Sequence, residues 1–404
     1  MDDRRDLLIL GGGLVGMTLA LAAAKKGFSS HVVDRADPAE LTAEGFDGRA
    51  SAISTASWNL FRNIGIAPLL EPQACPIASI AVTDRQRPGR INFTPAPHEG
   101  TLGRMFANRT LRLALFEAAR GEPLIAWHAK SEVVERRRSE HGVSTTLADG
   151  RELKAALMIG AEGRHSPTRE EAGIAVAKWD YRHRAIIAGL THEKPHDNVA
   201  WEIFYPAGPF ALLPMRDNAE GQHRSALVWT VDEGDAEGTL KLSDRAFLAE
   251  LDKRMGEMFG RITAVGPRSS YPLGFHHTAK IVGDRLALVG DAAHGIHPIA
   301  GQGLNLGLRD VGTLVEVLDE GARLGLEPGD AQLLARYERW RGLDSFMVAL
   351  ATDGLNRLFG LRGDAASAAR RLGMAGVERL PPLKRWFMNE ARGMSGFLPE
   401  LLRA

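Results

Sequence analysis

Cysteine is almost missing: Cys75 is the only one in 404 residues, so no internal disulfide can form. A chain this long without a disulfide framework is expected in a reducing compartment, the cytosol by default. Net charge is missing as well, since 50 Lys and Arg balance 50 Asp and Glu. With no overall pull toward polyanions, no nucleic-acid partner is expected. Neither a repeat period nor a low-complexity linker occurs, which excludes a solenoid or a string of tethered modules. One long uncharged run, Leu7 to Ala24, is broken by three consecutive glycines and preceded by the acidic Met1-Asp2-Asp3. Those features argue against a membrane span or a signal peptide. The length suggests two or three domains, or one large domain with an insertion.

What the chain does have is glycine, 44 residues of it, in clusters. The uncharged run divides into an apolar strand (Leu7 to Leu10), a glycine turn, a helical stretch from Leu14 to about Lys26, and a second strand (Ser30 to Val33) ending at Asp34. That is a βαβ unit. Gly11, Gly13 and Gly16 form G-x-G-x-x-G at its turn: the first permits a tight bend, the second lets the backbone approach a pyrophosphate, and the third lets helix and strand pack closely. The helix start offers unpaired N–H groups and a positive dipole end. Asp34 stands where a carboxylate accepts both hydroxyls of an adenosine ribose. Arg35 beside it would suit a 2′-phosphate, but an acid in first position disfavours that group. The motif thus fits FAD or NAD and leaves the choice open.

Further along, a helix is expected over Leu111 to Arg120. A hairpin is expected from Val143 to Leu147 and from Leu153 to Ile159, turned at Asp149-Gly150. Residues 179 to 275 read as strands separated by Pro/Gly turns. An apolar run from Arg285 to Val289 closes at Gly290-Asp291, and the chain after Gly303 reads as helical. Three apolar runs therefore end in glycine and acid, at Asp34, at Gly160 to Gly163, and at Gly290-Asp291. Ligands bind beyond the carboxyl ends of parallel strands, so these three points are expected to meet on one extended cofactor.

The segments GGGLVG with Asp34, GAEGRHSPTR and GDAAHGIHPIAGQGLNLGLRD together resemble FAD-dependent aromatic hydroxylases of the p-hydroxybenzoate hydroxylase fold. The HPIAGQGLNLGLRD stretch is similar to the ubiquinone-biosynthesis branch, the polyprenylphenol hydroxylases. The resemblance extends through Asp47 to Ala50, Gly208 to Pro214, Tyr337-Glu338, Arg341 and Lys384. It implies an α/β fold in which a Rossmann-like FAD-binding domain (1–72, 104–178, 280–345) carries an inserted, mainly antiparallel substrate domain (73–103, 179–279) and a helical C-terminal segment (346–404).

For the site, the resemblance implies that Gly11, Gly13, Gly16 and Asp34 bind the ADP half of FAD, with Arg35, Arg49 and Arg112 nearby. Asp291 would hold the ribityl chain. Pro298 and Gly301 would form the environment of the reactive flavin edge, and Gly301, Gln302, Gly303, Leu304 and Asn305 would contact the pyrimidine edge. Amides there would stabilise the reduced flavin without any side chain. Glu162 is a cofactor-binding candidate too, standing where the middle motif usually has an Asp associated with FAD and nicotinamide contacts. Only one dinucleotide fingerprint occurs, so NAD(P)H is expected as a transient co-substrate that reduces the flavin before O₂ is activated. Trp201, Tyr205, Phe210 and Leu212, with Phe204 and Trp229, are candidate walls for a polyprenylated phenol. His294 and His297 are read as loop residues, and no metal is expected.

From Leu361 onward, cations outnumber acids, and Trp386-Phe387 follow Lys384-Arg385. This suggests peripheral contact with the inner face of the cytoplasmic membrane, or with a quinone-biosynthesis complex. Two other readings stay open: a hydroxylase or flavin reductase acting on a small soluble compound, and a non-catalytic flavin-binding subunit.

Overall fold

The computed structural model describes residues 4–45, 48–85, 90–205, 208–256, 258–295, 301–342, 373 and 376–404. The opening stretch is strand Arg5–Leu10, helix Leu14–Lys25 and strand Ser30–Val33. Among the described residues no helix is long and apolar enough to cross a membrane. Leu7 to Leu10 are fully buried, as expected of a parallel strand covered on both faces. Five strands run parallel in the order Leu286–Leu288, Glu152–Gly160, Arg5–Leu10, Ser30–Val33, Ile125–His128. Leu10 lies level with both Val33 and Gly160, and Gly160 lies level with Leu288. The carboxyl ends of four strands therefore share one edge.

The hairpin turns at Asp149-Gly150 as read, joining Gly142–Leu147 to Glu152–Gly160 in antiparallel register. Gly150 takes φ +87°, a left-handed conformation that glycine adopts without strain. The helix expected from Leu111 begins slightly earlier, as Asn108–Arg120.

A second sheet of nine strands is antiparallel except where Val199–Tyr205 pairs parallel with Ser79–Asp84. Its two faces do different work. Trp201, Ile203, Tyr205, Phe210, Leu212, Leu227 and Trp229 pack on one side against Phe247, Leu251 and Met255. These last three lie on helix Asp244–Met255, which with Glu233–Leu240 corrects the all-strand reading of this region. The signal was present: Ser243 caps the helix by accepting from Ala246 N–H, and apolar side chains at four-residue spacing form the stripe that covers the sheet. On the opposite face, Ala200, Leu213, Met215 and Ala226 pack against Ala50, Ala52, Cys75, Ile77, Met105 and Ala107. Most of these belong to a small sheet of Ala50–Ser54, Gly103–Ala107 and Cys75–Ile77.

Helix Gln302–Arg323 crosses the first helix closely, because a Cβ on Gly307 would stand only 2.9 Å from Val15 Cγ2. Residues 331–342 are helical, as is Pro381–Ala391, while the expectation of helix over 346–372 lies outside the described residues. The C-terminus folds back, burying Leu401 and Leu402, with Asn59 and Asn63 donating to their carbonyls.

Candidate active site

The shared edge of strand ends forms one side of a crevice, and two helices start there. Helix Leu14–Lys25 begins at Gly13 and helix Gln302–Arg323 begins at Gly301; neither has a capping side chain or an acid in its first turn. Uncapped helix starts leave N–H groups and positive dipole ends open to a ligand.

The glycines divide by role. Gly11 has φ +107°, and a Cβ there would strike the Ala161 backbone. A Cβ on Gly16 would run into the Gly11 carbonyl oxygen. Both are required by chain packing alone. Gly13 and Gly303 face open space, with nothing within 4 Å of a Cβ placed on either. At these two helix starts bare backbone meets an open approach, which fits a bound cofactor. Gly301 has the left-handed φ of +64° that turns the chain into the second helix. Gln302, Gly303 and Leu304 are half-buried at that helix start.

Asp34 is anchored at the tip of its strand: Gly12 N–H donates to Oδ2 at 2.6 Å and Ala36 N–H donates to Oδ1 at 2.8 Å. Its neighbour Arg35 is exposed, as is Arg49, while Arg112 is half-buried on Asn108–Arg120. Asn305 is buried, with its side chain fully engaged. Its Oδ1 accepts from Ser54 N–H at 2.9 Å, and its Nδ2 donates to Ala52 O at 2.8 Å and Gly301 O at 3.0 Å. It therefore fastens the helix start to the small sheet and leaves only its backbone for a ligand. Glu162 is also engaged: Oε2 accepts from Ser166 Oγ at 2.6 Å and Thr168 N–H at 3.2 Å, and Oε1 pairs with Arg136 at 3.0 Å. It organises the start of the short helix Pro167–Glu171.

Asp291 opens into the crevice but is crowded by surrounding protein, and this crowding raises its carboxyl above the usual range, with the Arg164 guanidinium opposing the rise. Arg164 also acts electrostatically on Tyr271 and His276, so it is the cation at the centre of this group. His276 contacts the Asp291 carbonyl oxygen at 2.6 Å through Nε2, and burial pushes its pKa down to about 4, keeping the ring neutral with Nε2–H donating.

Behind the loop lies a cluster that local sequence pattern does not reveal. Asp310, fully buried, accepts from Gly290 N–H at 2.9 Å and pairs with Arg341 at 2.7 Å and His294 at 2.8 Å. Burial disfavours its ionised form, but His294 and Arg341 outweigh that and hold the carboxyl below its ordinary value. Tyr337, one turn before Arg341, donates to Leu288 O at 2.9 Å. His294 is thus a positioning group for the loop; His297 and Pro298 lie outside the described residues. The only hint in the sequence was an acid, Asp310, within an otherwise apolar helix face.

The candidate substrate residues Trp201, Tyr205, Phe210 and Leu212 sit on the helix-covered face of the antiparallel sheet, where Phe210 and Leu212 are fully buried. The face turned toward the small sheet carries Ala200, Glu202, Phe204, Ala211 and Leu213 instead.

Residues 4–343 match the FAD binding domain family. A ubiquinone hydroxylase, UbiL, of Rhodospirillum rubrum is 45% identical over 99% of this chain and 92% of its own length. The 3-demethoxyubiquinol 3-hydroxylase of Escherichia coli is 32% identical over 96% of this chain and 98% of its own. Among solved structures, the p-nitrophenol 4-monooxygenase PnpA of Pseudomonas putida shares the fold, with a TM-score of 0.79 at 17% identity, covering 98% of this chain and 99% of that one. With its paired helix starts, its converging strand ends and these relatives, the chain belongs to the FAD-binding family of flavin-dependent monooxygenases.

Proposed function

We propose that this protein is an FAD-dependent monooxygenase that uses NAD(P)H and O₂ to hydroxylate the aromatic ring of a polyprenylated phenol in ubiquinone biosynthesis. One observation carries the site: two uncapped helix starts, at Gly13 and Gly301, open on the edge where Leu10, Val33, Gly160 and Leu288 end. The two ubiquinone-related relatives supply the substrate class.

The amides following Gly13 would hold the pyrophosphate, and Asp34, oriented by two backbone N–H groups, would accept the ribose hydroxyls. Asp291, with Arg164 facing it, would hold the ribityl chain. The N–H groups of Gln302 to Asn305 would lie against the pyrimidine edge, where the helix dipole stabilises negative charge. Bound FAD supplies the redox and oxygen chemistry. The chain's own task is to orient the ring and exclude water, and the inward face of the antiparallel sheet, with Ala211, Val228 and Ile187, would be the substrate wall. Glu162 would act indirectly, by holding the turn that carries Arg164.

On helix Pro381–Ala391, Leu383 and Trp386 are exposed beside Lys384 and Arg385, a surface suited to peripheral membrane contact. Unchanged liposome binding after deletion from Pro381 onward would refute that part. For the main reading, NAD(P)H oxidation by the FAD-loaded protein is expected to rise with added phenols and to yield hydroxylated product. Metabolite profiling of a deletion strain names the step through the precursor that accumulates. Flavin that NAD(P)H never reduces would support a non-catalytic subunit instead.

A further inference from the structure

One carboxyl group in the antiparallel sheet has no structural use. Glu202, in the strand Val199–Tyr205, is 9% exposed, yet it has no hydrogen-bond or ion-pair partner among the described residues. Its cross-strand neighbours are Val82 and Ala211, and the same row continues through Val228 to Ile187. All four are apolar.

The charged groups around this face stand elsewhere or are already engaged. Asp84 shares the face two residues along the neighbouring strand, and Arg224 stands at the far end opposite Met215. Lys384, on the helix whose Phe387 packs against Phe93, is paired with Glu378. Arg49, Arg164 and Asp291 gather around Tyr271 and His276 on strand Ser269–Thr278, four strands away in the sheet. No charge offsets burial, which pushes the Glu202 carboxyl up to about 8. A buried polar group without a partner costs stability, and an apolar residue of similar size would remove that cost. A carboxyl kept in such a place is a candidate for chemistry.

Its direction follows from the pleat. Ala200, two residues earlier and on the same face, belongs with Met105 to the apolar cluster against which Ala50 and Ala52 pack, and Ala52 is the cross-strand partner of Met105. Ala52 in turn borders the crevice: its carbonyl accepts from Asn305, and its Cβ lies 3.2 Å from a Cβ placed on Gly301. The face bearing Glu202 is therefore the face turned toward the small sheet that borders the cofactor-side helix, within an apolar wall that offers an aromatic ring no other carboxyl along its row.

We propose that Glu202 binds the hydroxyl of the aromatic substrate, accepting its hydrogen bond and, when ionised, taking its proton. The phenol O–H bond breaks, a carboxyl O–H bond forms, and the electron pair stays on the ring oxygen, leaving a more electron-rich phenolate. No electron is exchanged in this step. The inference rests on the hydroxylase reading above. The carboxyl, at about 8, stands closer to a phenol near 10 than an ordinary carboxylate does, so proton transfer between them is better matched.

The test uses the FAD-loaded full chain and 4-fluorophenol as probe, read by fluorine NMR for ionisation and by titration for affinity. In the wild type, the fluorine resonance of the bound probe is expected to shift with a midpoint near pH 8, as the Glu202 carboxyl that accepts its hydrogen bond ionises, while the full phenolate resonance appears only at or above the roughly 10 of a free phenol. Glu202→Gln should weaken probe binding about tenfold and abolish the shift of the probe resonance near pH 8. Glu202→Leu should weaken it at least as much while raising the melting temperature, which removes misfolding as an explanation. Two variants that bind the probe and shift its resonance like the wild type would overturn the proposal, as would a wild type that leaves the probe unperturbed although phenols stimulate its NAD(P)H oxidation. Absence of phenol-stimulated oxidation in the wild type would refute the hydroxylase reading itself.

Discussion

Alanine at Gly13 and at Gly16 adds the same methyl group one helical turn apart, and the structure gives the two substitutions opposite consequences. At Gly13 nothing lies within 4 Å of the new carbon, and φ is an ordinary −71°, so the apoprotein should melt as the wild type does. The methyl instead occupies the approach to the helix-start amides. Displacing one or two charge-assisted hydrogen bonds to a phosphate, each contributing about 1.5–3 kcal/mol, should weaken FAD binding by roughly tenfold or more. At Gly16 the methyl enters the Gly11 carbonyl oxygen, and the helix must move off the strand. Overpacking of this kind costs about 1–3 kcal/mol, and because the conflict lies between backbone segments the upper end applies. Thermal melting of the apoproteins, paired with FAD titration followed by flavin fluorescence, separates the two effects. A Gly13→Ala protein that binds FAD as tightly as the wild type would refute the assignment of this helix start to the pyrophosphate.

Asp310→Ala strands the buried Arg341 and His294 and should cost about 3–5 kcal/mol, whereas the double variant Asp310→Leu/Arg341→Met should recover most of it in a denaturant cycle. Additive losses in that cycle would show that the pair is not coupled. His276 is held neutral, its folded pKa of about 4 lying below the ordinary 6.5, so its contribution is complete above about pH 6.5 and lost as pH falls toward 4. Allowing for water in the crevice, acid-side destabilisation of roughly 1–2 kcal/mol should disappear in His276→Gln, as measured by melting between pH 7 and pH 4. Phe210→Ala empties a site in the helix-covered core and should cost about 3–5 kcal/mol with little change in KM for a phenol. A large rise in KM without loss of stability would place Phe210 in the substrate wall after all.

Much of the cofactor architecture was legible because it is local. Gly11 to Gly16 between an apolar strand and a helical pattern, Asp34 at the next strand end, and Asp149-Gly150 between two apolar runs each state their conformation within a few residues. The glycine and acid at three strand ends even implied convergence, because parallel strands present their carboxyl ends together. The helix Asp244–Met255 was equally local, with Ser243 as cap and Phe247, Leu251 and Met255 as stripe.

Tertiary structure alone decided which side of each strand meets which partner. Alternation along Val199–Tyr205 separates Trp201, Ile203 and Tyr205 from Ala200, Glu202 and Phe204, but a period of two cannot say which set faces a helix and which a crevice. The pairing of Asp310 with Arg341 and His294, and of the chain end with Asn59 and Asn63, spans separations that no local pattern encodes. The sequence determined where the backbone turns and which helix starts are left bare. Folding determined what stands opposite them, because burial, charge pairing and the direction of a side chain are properties of neighbours that meet only once the sheets have closed on each other.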